Sequence, residues 1–546
     1  MTYNENYKDT KTRRHGGPRS RTFIRAPLYL CVSVSLWFLS MQPRLLSAQG
    51  GPGTLSGATT GPAEGAQANP LPLSGRSGQT GSVRATQLPV PGTTTSVNTI
   101  NPTVQVQGPY GGSVQGPANA LRSGMLSFRE AIQRGLEYNL GAVDQMQAVR
   151  QAHGQKIIMR STLLPNLNGN TSETVQQVNL RAFGVRVTSP VPGFSIPTIV
   201  GPFNFFDLRA TLSQTVIDRT ALNNYRSSSE TLRANRFFAE DAQDLVVLAV
   251  GGAYLQVMAA KAKVDLARAQ LETANALYQQ ALEQRSAGVI ALTDVNRSQI
   301  QALTEQQRLL SLENDLAKQK INLARMTGLP LGVSYDVSDS VPFSAAPPMD
   351  LDSALKLALE QRADLRAAEA QVRAAERALS AARDERLPSL TVRADYGVIG
   401  TNPAQSHGTF AVSGRLNFPI WQGGRIAGNI EQAEAVLAQR EAEREDIVGQ
   451  IESDVRNAYL DLQAAASQVE VAQKSIQVTQ ENLDLTRQRF DAGVSDNVGV
   501  VQSQESLATA HSDYINSVFA HNLGKLALAR ATGDAAENLA RFLNVP

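Results

Sequence analysis

The side chains capable of acid–base, nucleophilic or metal chemistry are few, and their spacing does not suit it. The histidines, His15, His153, His407, His511 and His521, stand at no metal-ligand spacing. His511 and His521 lie on one predicted helix but at an offset that turns them to different sides. The single cysteine, Cys31, lies close to the N-terminus, so disulfides and thiolate-bound metals are excluded from the body of the chain. There is no phosphate-binding glycine loop, no HExxH and no G-x-S-x-G. Carboxylate pairs such as Glu443 and Glu445 fall in helical charge runs, the pattern of a solvated face. The expectation is a protein that is not an enzyme and has no cofactor and no metal site. A net charge of +2 gives no bulk attraction to nucleic acid.

What the chain does contain is a duplicated pair of short interruptions between long helical patterns. The first is Ala287-Gly288-Val289-Ile290 followed by Thr293-Asp294-Val295. The second is Ala492-Gly493-Val494-Ser495 followed by Asp496-Asn497-Val498. Glycine takes the left-handed conformation that ends a helix, and Thr293/Asp294 and Asp496/Asn497 are candidate caps for the next one. Each interruption is therefore predicted to be the tip of a long antiparallel helical hairpin. Shifting the chain so that Tyr254 falls on Tyr459 aligns 254–328 with 459–533 without a gap, and 19 of 75 positions are identical. They include the tips and the helix ends Leu323-Ala324-Arg325 with Thr327-Gly328, and Leu528-Ala529-Arg530 with Thr532-Gly533. A second shift lays Phe128–Leu167 on Leu351–Leu390, each copy leaving its helix at Leu-Pro. A period above 200 residues excludes a solenoid and means two copies of one large unit.

The predicted order follows. Residues 1–48 read as a secretory signal, with a basic start, an apolar run over Leu28–Met41 and a small-residue site ending at Ala48. Residues 49–123 are rich in Gly, Pro, Ser and Thr and read as a disordered tether. The first structural repeat spans 124–340 and the second 341–546. Leu126–Leu164 and Leu351–Leu387 are predicted helices, with Ser127 and Asp352 as cap candidates. After each Leu-Pro the period changes to two. Leu390, Val392, Tyr396, Phe410, Val412, Leu416 and Phe418 share one face, against Thr391, Arg393, Asp395, Thr409, Ser413 and Arg415 on the other. These stretches have the length of tilted membrane-spanning strands, and the apolar set is expected to face lipid. Four such strands cannot close a barrel, so a membrane-spanning protein of this kind must oligomerise. Helices then run to each tip over a length on the order of 90 Å.

The ordered set of tips, LAR-x-TG helix ends, Leu-Pro joints and the strand exit Phe418-Pro419-Ile420-Trp421-Gln422-Gly423-Gly424-Arg425 resembles the TolC-type outer-membrane efflux proteins over roughly 125–540. The first copy departs from the pattern at Asp218-Arg219-Thr220, where Gly-Gly-Arg is usual. The resemblance implies a mainly α fold with membrane β: a homotrimer in which a 12-stranded β-barrel in outer-membrane lipid continues into a long periplasmic α-barrel. It implies a passive channel serving an inner-membrane pump through a periplasmic adaptor docked on Gly288, Val289, Ile290, Gly493, Val494 and Ser495. Asp294 and Asp496 are candidate aperture residues, and a plain helix cap is the alternative for Asp294. A type I protein secretion channel and a non-pore coiled-coil envelope protein remain as alternative readings.

Overall fold

The computed structural model describes residues 81–89, 100–117, 124–182, 197–339, 342–346, 348–492, 494, 497–533 and 535–536. The expected signal and the first part of the tether lie outside them, as do Gly493, Ser495 and Asp496.

Two short strands, β1 (Val83–Pro89) and β2 (Ile100–Val106), pair antiparallel and are followed by β3 (Met125–Leu126). Then come α1 (Phe128–Tyr138), α2 (Leu140–Ser161), β4 (Asn166–Asn179), β5 (Ile199–Ile217), α3 (Arg219–Ser286) and α4 (Leu292–Thr327). The second repeat supplies α5 (Leu351–Gln361), α6 (Ala363–Asp384), β7 (Ser389–Gly400), β8 (Ser406–Asn417), α7 (Arg425–Asp491) and α8 (Asn497–Ala531), after β6 (Asp336–Val337), which pairs with β3. The duplication is thus carried by whole elements, with α1-α2-β4-β5-α3-α4 mirrored by α5-α6-β7-β8-α7-α8.

Three expectations are corrected. Within the segment expected to be tether, residues 81–89 and 100–117 are ordered. Val83 and Tyr110 are buried, Gln87 Nε2 donates to Ala520 O at 3.2 Å, and β1 and β2 lie against α3 and α8. These contacts join distant parts of the chain, so a Gly/Pro/Thr-rich composition conceals them. The first predicted helix of each repeat is two helices. The chain leaves helical geometry at Asn139 (ψ 134°) and at Arg362 (ψ 125°), positions that the second shift superposes. Asn139 then caps α2 through a side-chain bond from Gly141 N at 2.9 Å. Finally, Asp350 occupies the N-cap position of α5, not Asp352, whereas Ser127 does cap α1, accepting from Glu130 N at 3.2 Å.

The long helices stand in the order α4–α3–α8–α7, and the large sheet in the order β4–β5–β7–β8. Both layers therefore place first-repeat elements at one edge and second-repeat elements at the other, with the seam between repeats in the middle. At 1.5 Å per residue, the 68 residues of α3 span roughly 100 Å. The most buried stretch of α3, Val246–Val250 with Tyr254 and Val257, meets Leu126, Phe128, Leu323, Leu523 and Leu526 in the main core. Both α4 and α8 end at a left-handed glycine, Gly328 (φ 70°) and Gly533 (φ 79°). The buried threonine before each donates back to the helix, Thr327 to Leu323 O at 2.8 Å and Thr532 to Leu528 O at 3.0 Å.

Twin positions have nevertheless diverged. The fully buried Tyr254 donates its hydroxyl toward Leu126 O (2.9 Å) and Asp339 Oδ2 (3.1 Å), while its twin Tyr459 is only half-buried. Tyr254→Phe is therefore expected to lower stability by about 1–3 kcal/mol, and Tyr459→Phe by less than about 0.5 kcal/mol. Urea midpoints of the two variants against the parent check this.

Candidate functional site

Three parts of the fold carry functional geometry: the hairpin tips, the large sheet and the outer edges of the long helices.

At the first tip α3 closes with a Schellman motif. Gly288 (φ 75°) donates to Arg285 O at 3.0 Å and Val289 N donates to Gln284 O at 2.9 Å. The motif needs a residue at positive φ just past the helix, and glycine supplies it. At the second tip the corresponding wide bond runs from Val494 N to Arg489 O, also 2.9 Å. Both tips thus present valine at the same place in the turn, 72% exposed at Val289 and 70% at Val494. Ile290 is half-buried. Asp294 does not cap α4. The N-cap position is Ala291, without a side-chain bond, and Asp294 sits in the first turn, 3.2 Å from Arg297 Nη1. Ala291 N–H is not what the turn must satisfy; a first-turn carboxylate still complements the positive end of the helix dipole.

The sheet is antiparallel throughout. Its register sets Leu208 opposite Val398, Ala210 opposite Tyr396, and Tyr396 in turn opposite Phe410. Ala394 faces Val412 and Leu390 faces Leu416, so the residues of the expected apolar set within the strands share one face. Tyr396, Phe410, Val412, Leu416 and Phe418 are exposed, and Leu390 and Val392 are half-buried. The opposite face is polar. There Arg209 is paired with Asp395 and lies 3.3 Å from Asp207. The β4 and β8 edges have no partner strand within the described chain. Trp421, just beyond β8, is exposed next to Phe418 and Ile420.

Sequence reasoning missed the helix edges. Ile300, Leu303 and Leu310 are exposed along α4, and Val471, Val478 and Leu485 are exposed at seven-residue spacing along α7. The heptad in α7 was visible in the sequence. Its unpartnered state follows only from the helix order. A partly buried ionic network was missed as well. Arg362, at the break between α5 and α6, bonds Asp364 (2.5 Å) and Asp454 of α7 (3.0 Å), and Arg530 at the end of α8 bonds Asp241 of α3 (2.5 Å). Burial drives the Asp364 carboxyl upward, but the Arg362 guanidinium outweighs it and holds the group below its ordinary value. For Asp241 burial prevails over Arg530, and the value is raised. Of the histidines, His153 and His407 are exposed, and His511 lines a cavity between the hairpins. His521 is buried against Phe343, where burial and then Lys525 push it down to about 4.

A sheet of membrane-spanning length, apolar on one face and ion-paired on the other, leads directly into helices several times longer than the sheet is tall. Those are the parts of an outer-membrane channel with a periplasmic helical domain. The chain belongs to the outer membrane efflux protein family, whose pattern matches residues 143–329 and 354–534. It is 25% identical over 414 residues to the toluene efflux pump outer membrane protein TtgF of Pseudomonas putida, covering 72% of this chain and 80% of that one. It is 24% identical to the outer membrane protein TolC of Vibrio cholerae, covering 69% and 86%. In fold it is similar to the Campylobacter jejuni CmeC outer membrane channel, with a TM-score of 0.65 at 17% identity, covering 75% of this chain and 86% of that one. It is similar also to VceC of Vibrio cholerae, with a TM-score of 0.64 at 18% identity, covering 75% and 97%. The protein is an outer-membrane component of efflux systems that works with other pump components. Its family is one of channels, not of enzymes.

Proposed function

We propose that three copies close head to tail into a ring that conducts exported small molecules passively across the outer membrane. The observation that carries this reading is the shared order of the two layers. Among the described residues neither β4 nor β8 has an outer strand partner, the apolar stripes of α4 and of the distal half of α7 are exposed on the same two sides, and each side belongs to a different repeat. A heterologous contact of one edge on the other closes a ring when the rotation fits. Unpaired strands of 14 and 12 residues are otherwise an aggregation hazard that folded proteins avoid. Three four-stranded sheets make a twelve-stranded barrel with the ion-paired face inside, and the apolar helix stripes meet across the same boundaries. Leu390, Val392, Tyr396, Phe410, Val412, Leu416 and Phe418 then face lipid, and Trp421 sits at the membrane interface. The tips at Gly288, Val289, Ile290, Gly493, Val494 and Ser495 dock on a periplasmic adaptor coupled to an inner-membrane pump, and Asp294 and Asp496 border the aperture. In this reading the protein performs no catalysis of its own. Residues 1–48 direct secretion, and 124–340 and 341–546 are the two repeats.

The test is the native mass of protein extracted in detergent from isolated outer membranes. A trimer is expected, and a monomer would overturn ring closure. A side-specific variant adds to this. Phe410→Arg places a cation on the lipid side at a cost of roughly 2–4 kcal/mol per copy near the bilayer midplane, whereas Ser413→Arg adds it to the polar face. Cross-linked trimer recovered from outer membranes is expected to fall sharply for the first and to stay near the parent level for the second.

A further inference from the structure

Where the two hairpins meet, helices α3, α4, α7 and α8 surround a cavity of about 250 Å³. Its wall carries the Glu305 side chain of α4. Glu305 is 6% exposed. Its Oε1 accepts a hydrogen bond from Gln301 Nε2 at 3.2 Å, and among the described residues no group reaches its Oε2. Gln270 Nε2 of α3 and Gln504 Nε2 of α8, on the same wall, are likewise buried without a protein partner. An orphaned carboxylate in such a place is expensive to keep ionised. The duplication supplies an internal control. The repeat shift that superposes the tips lays Glu305 on Ala510, which is equally buried, so helix packing at this level does not call for an acid.

We propose that Glu305 is a proton-controlled latch between the two helical hairpins: neutral, it lets them pack closely, and ionised, it draws in water and loosens them. The charged groups facing it are Arg308 on its own helix, Arg487 from α7, and Glu505 and His511 from α8, while α3 contributes no titratable group to the wall. Burial raises the Glu305 carboxyl above its ordinary value, Arg308 opposes this, and Glu505 adds to it. A raised value in the packed state fixes the sign. The packed arrangement keeps its full advantage below the ordinary glutamate range and loses it as pH rises through the raised value.

This inference rests on the channel reading, and the experiment separates the two. Conductance of the full-length protein in planar lipid bilayers is measured from acid to mildly alkaline pH. The parent is expected to conduct more as pH rises, over about two pH units for one titrating group. Glu305→Gln and Glu305→Leu are both expected to hold the low-pH level throughout, while Glu505→Gln shifts the step without abolishing it. A pH step that survives in both Glu305 variants, or a parent conductance independent of pH, overturns the latch and leaves the channel intact. No conductance at any pH overturns both. A second readout needs no change at Glu305. In a Cys31→Ser background, Ala508→Cys on the cavity wall should react with a small thiol reagent faster at high pH than an exposed Leu331→Cys reference predicts. A constant ratio of the two rates overturns the latch.

Discussion

Replacing Val289 and Val494 together by aspartate is expected to reduce compound tolerance to that of cells lacking the protein, with no fall in its amount in the outer membrane. Each valine stands at the third position past a helix of 68 or 67 residues and projects into solvent from a turn whose backbone bonds are already made. Nothing in the fold requires an apolar side chain there, so the change leaves stability within about 0.5 kcal/mol. In the docking proposed above, a partner is the physical reason for valine. Burying one is worth roughly 1.5–3 kcal/mol, and each loss of about 1.4 kcal/mol is tenfold in affinity. With an aspartate that must be desolvated instead, and two tips in every copy, weak multivalent docking collapses. Gly288→Val should act at the same place by another route. No atom lies within 4 Å of the added Cβ, but the positive φ of 75° is strained for a branched residue. Tolerance measured across a compound panel in cells expressing each variant checks the prediction, and parent-level tolerance in the double variant would remove the tips as the docking site.

Arg362→Ala is expected to cost about 3–5 kcal/mol, because it leaves carboxylates behind that lose their cation. The Arg362 side chain is 6% exposed and Asp364 is 19% exposed. The arginine ties the α5–α6 break to α7 through Asp454, beside the Arg530–Asp241 pair that ties α8 to α3. The pH dependence has a definite sign. Asp364 is depressed, so its contribution is complete above the unfolded-state carboxylate value of about 3.9 and is lost as pH falls through the native one. Asp241 is raised, so its ionised form is the one that folding disfavours, and its contribution runs in the opposite direction. Urea midpoints at neutral and acid pH are the check. The variant should unfold at markedly lower urea at neutral pH and should lose part of the parent's sensitivity to acid. Unchanged midpoints would mean that the network is not what joins the repeats.

Local signals explain which parts of this architecture were legible in the sequence. The tips announce themselves because a left-handed glycine and a change of helix leave a composition that does not depend on the rest of the chain. The strands are legible because Tyr396, Phe410, Val412 and Leu416 alternate with charges, and the duplication gave both features a second witness. The break at Arg362 has no glycine or proline to mark it, and the glycines that flank Asn139, Gly135 and Gly141, lie inside helices. Each break depends on what the residue reaches across the fold, Tyr110 O at 2.8 Å for Asn139 and Asp454 for Arg362. The β1–β2 hairpin was hidden for the same reason, since its anchor Ala520 lies 433 positions from Gln87. Asp294 was read as a cap candidate or an aperture residue, and only the backbone shows that the N-cap position falls on Ala291. Glu305 was one acid among many until four helices enclosed it.

The β5–β7 pairing lies at the middle of the sheet and joins the two repeats inside a single polypeptide. In the proposed ring of six repeat units there are six joints, and this pairing makes three of them before any encounter between molecules. Assembly then depends on the third power of protein concentration in the membrane instead of the sixth. That difference is large for a component present in few copies. The covalent joint also breaks the equivalence of the six units, since only the three joints between molecules need to form after insertion. The twins were thereby released to diverge, as Glu305 has from Ala510 and Tyr254 from Tyr459, without a change on one side of the ring being forced on the other.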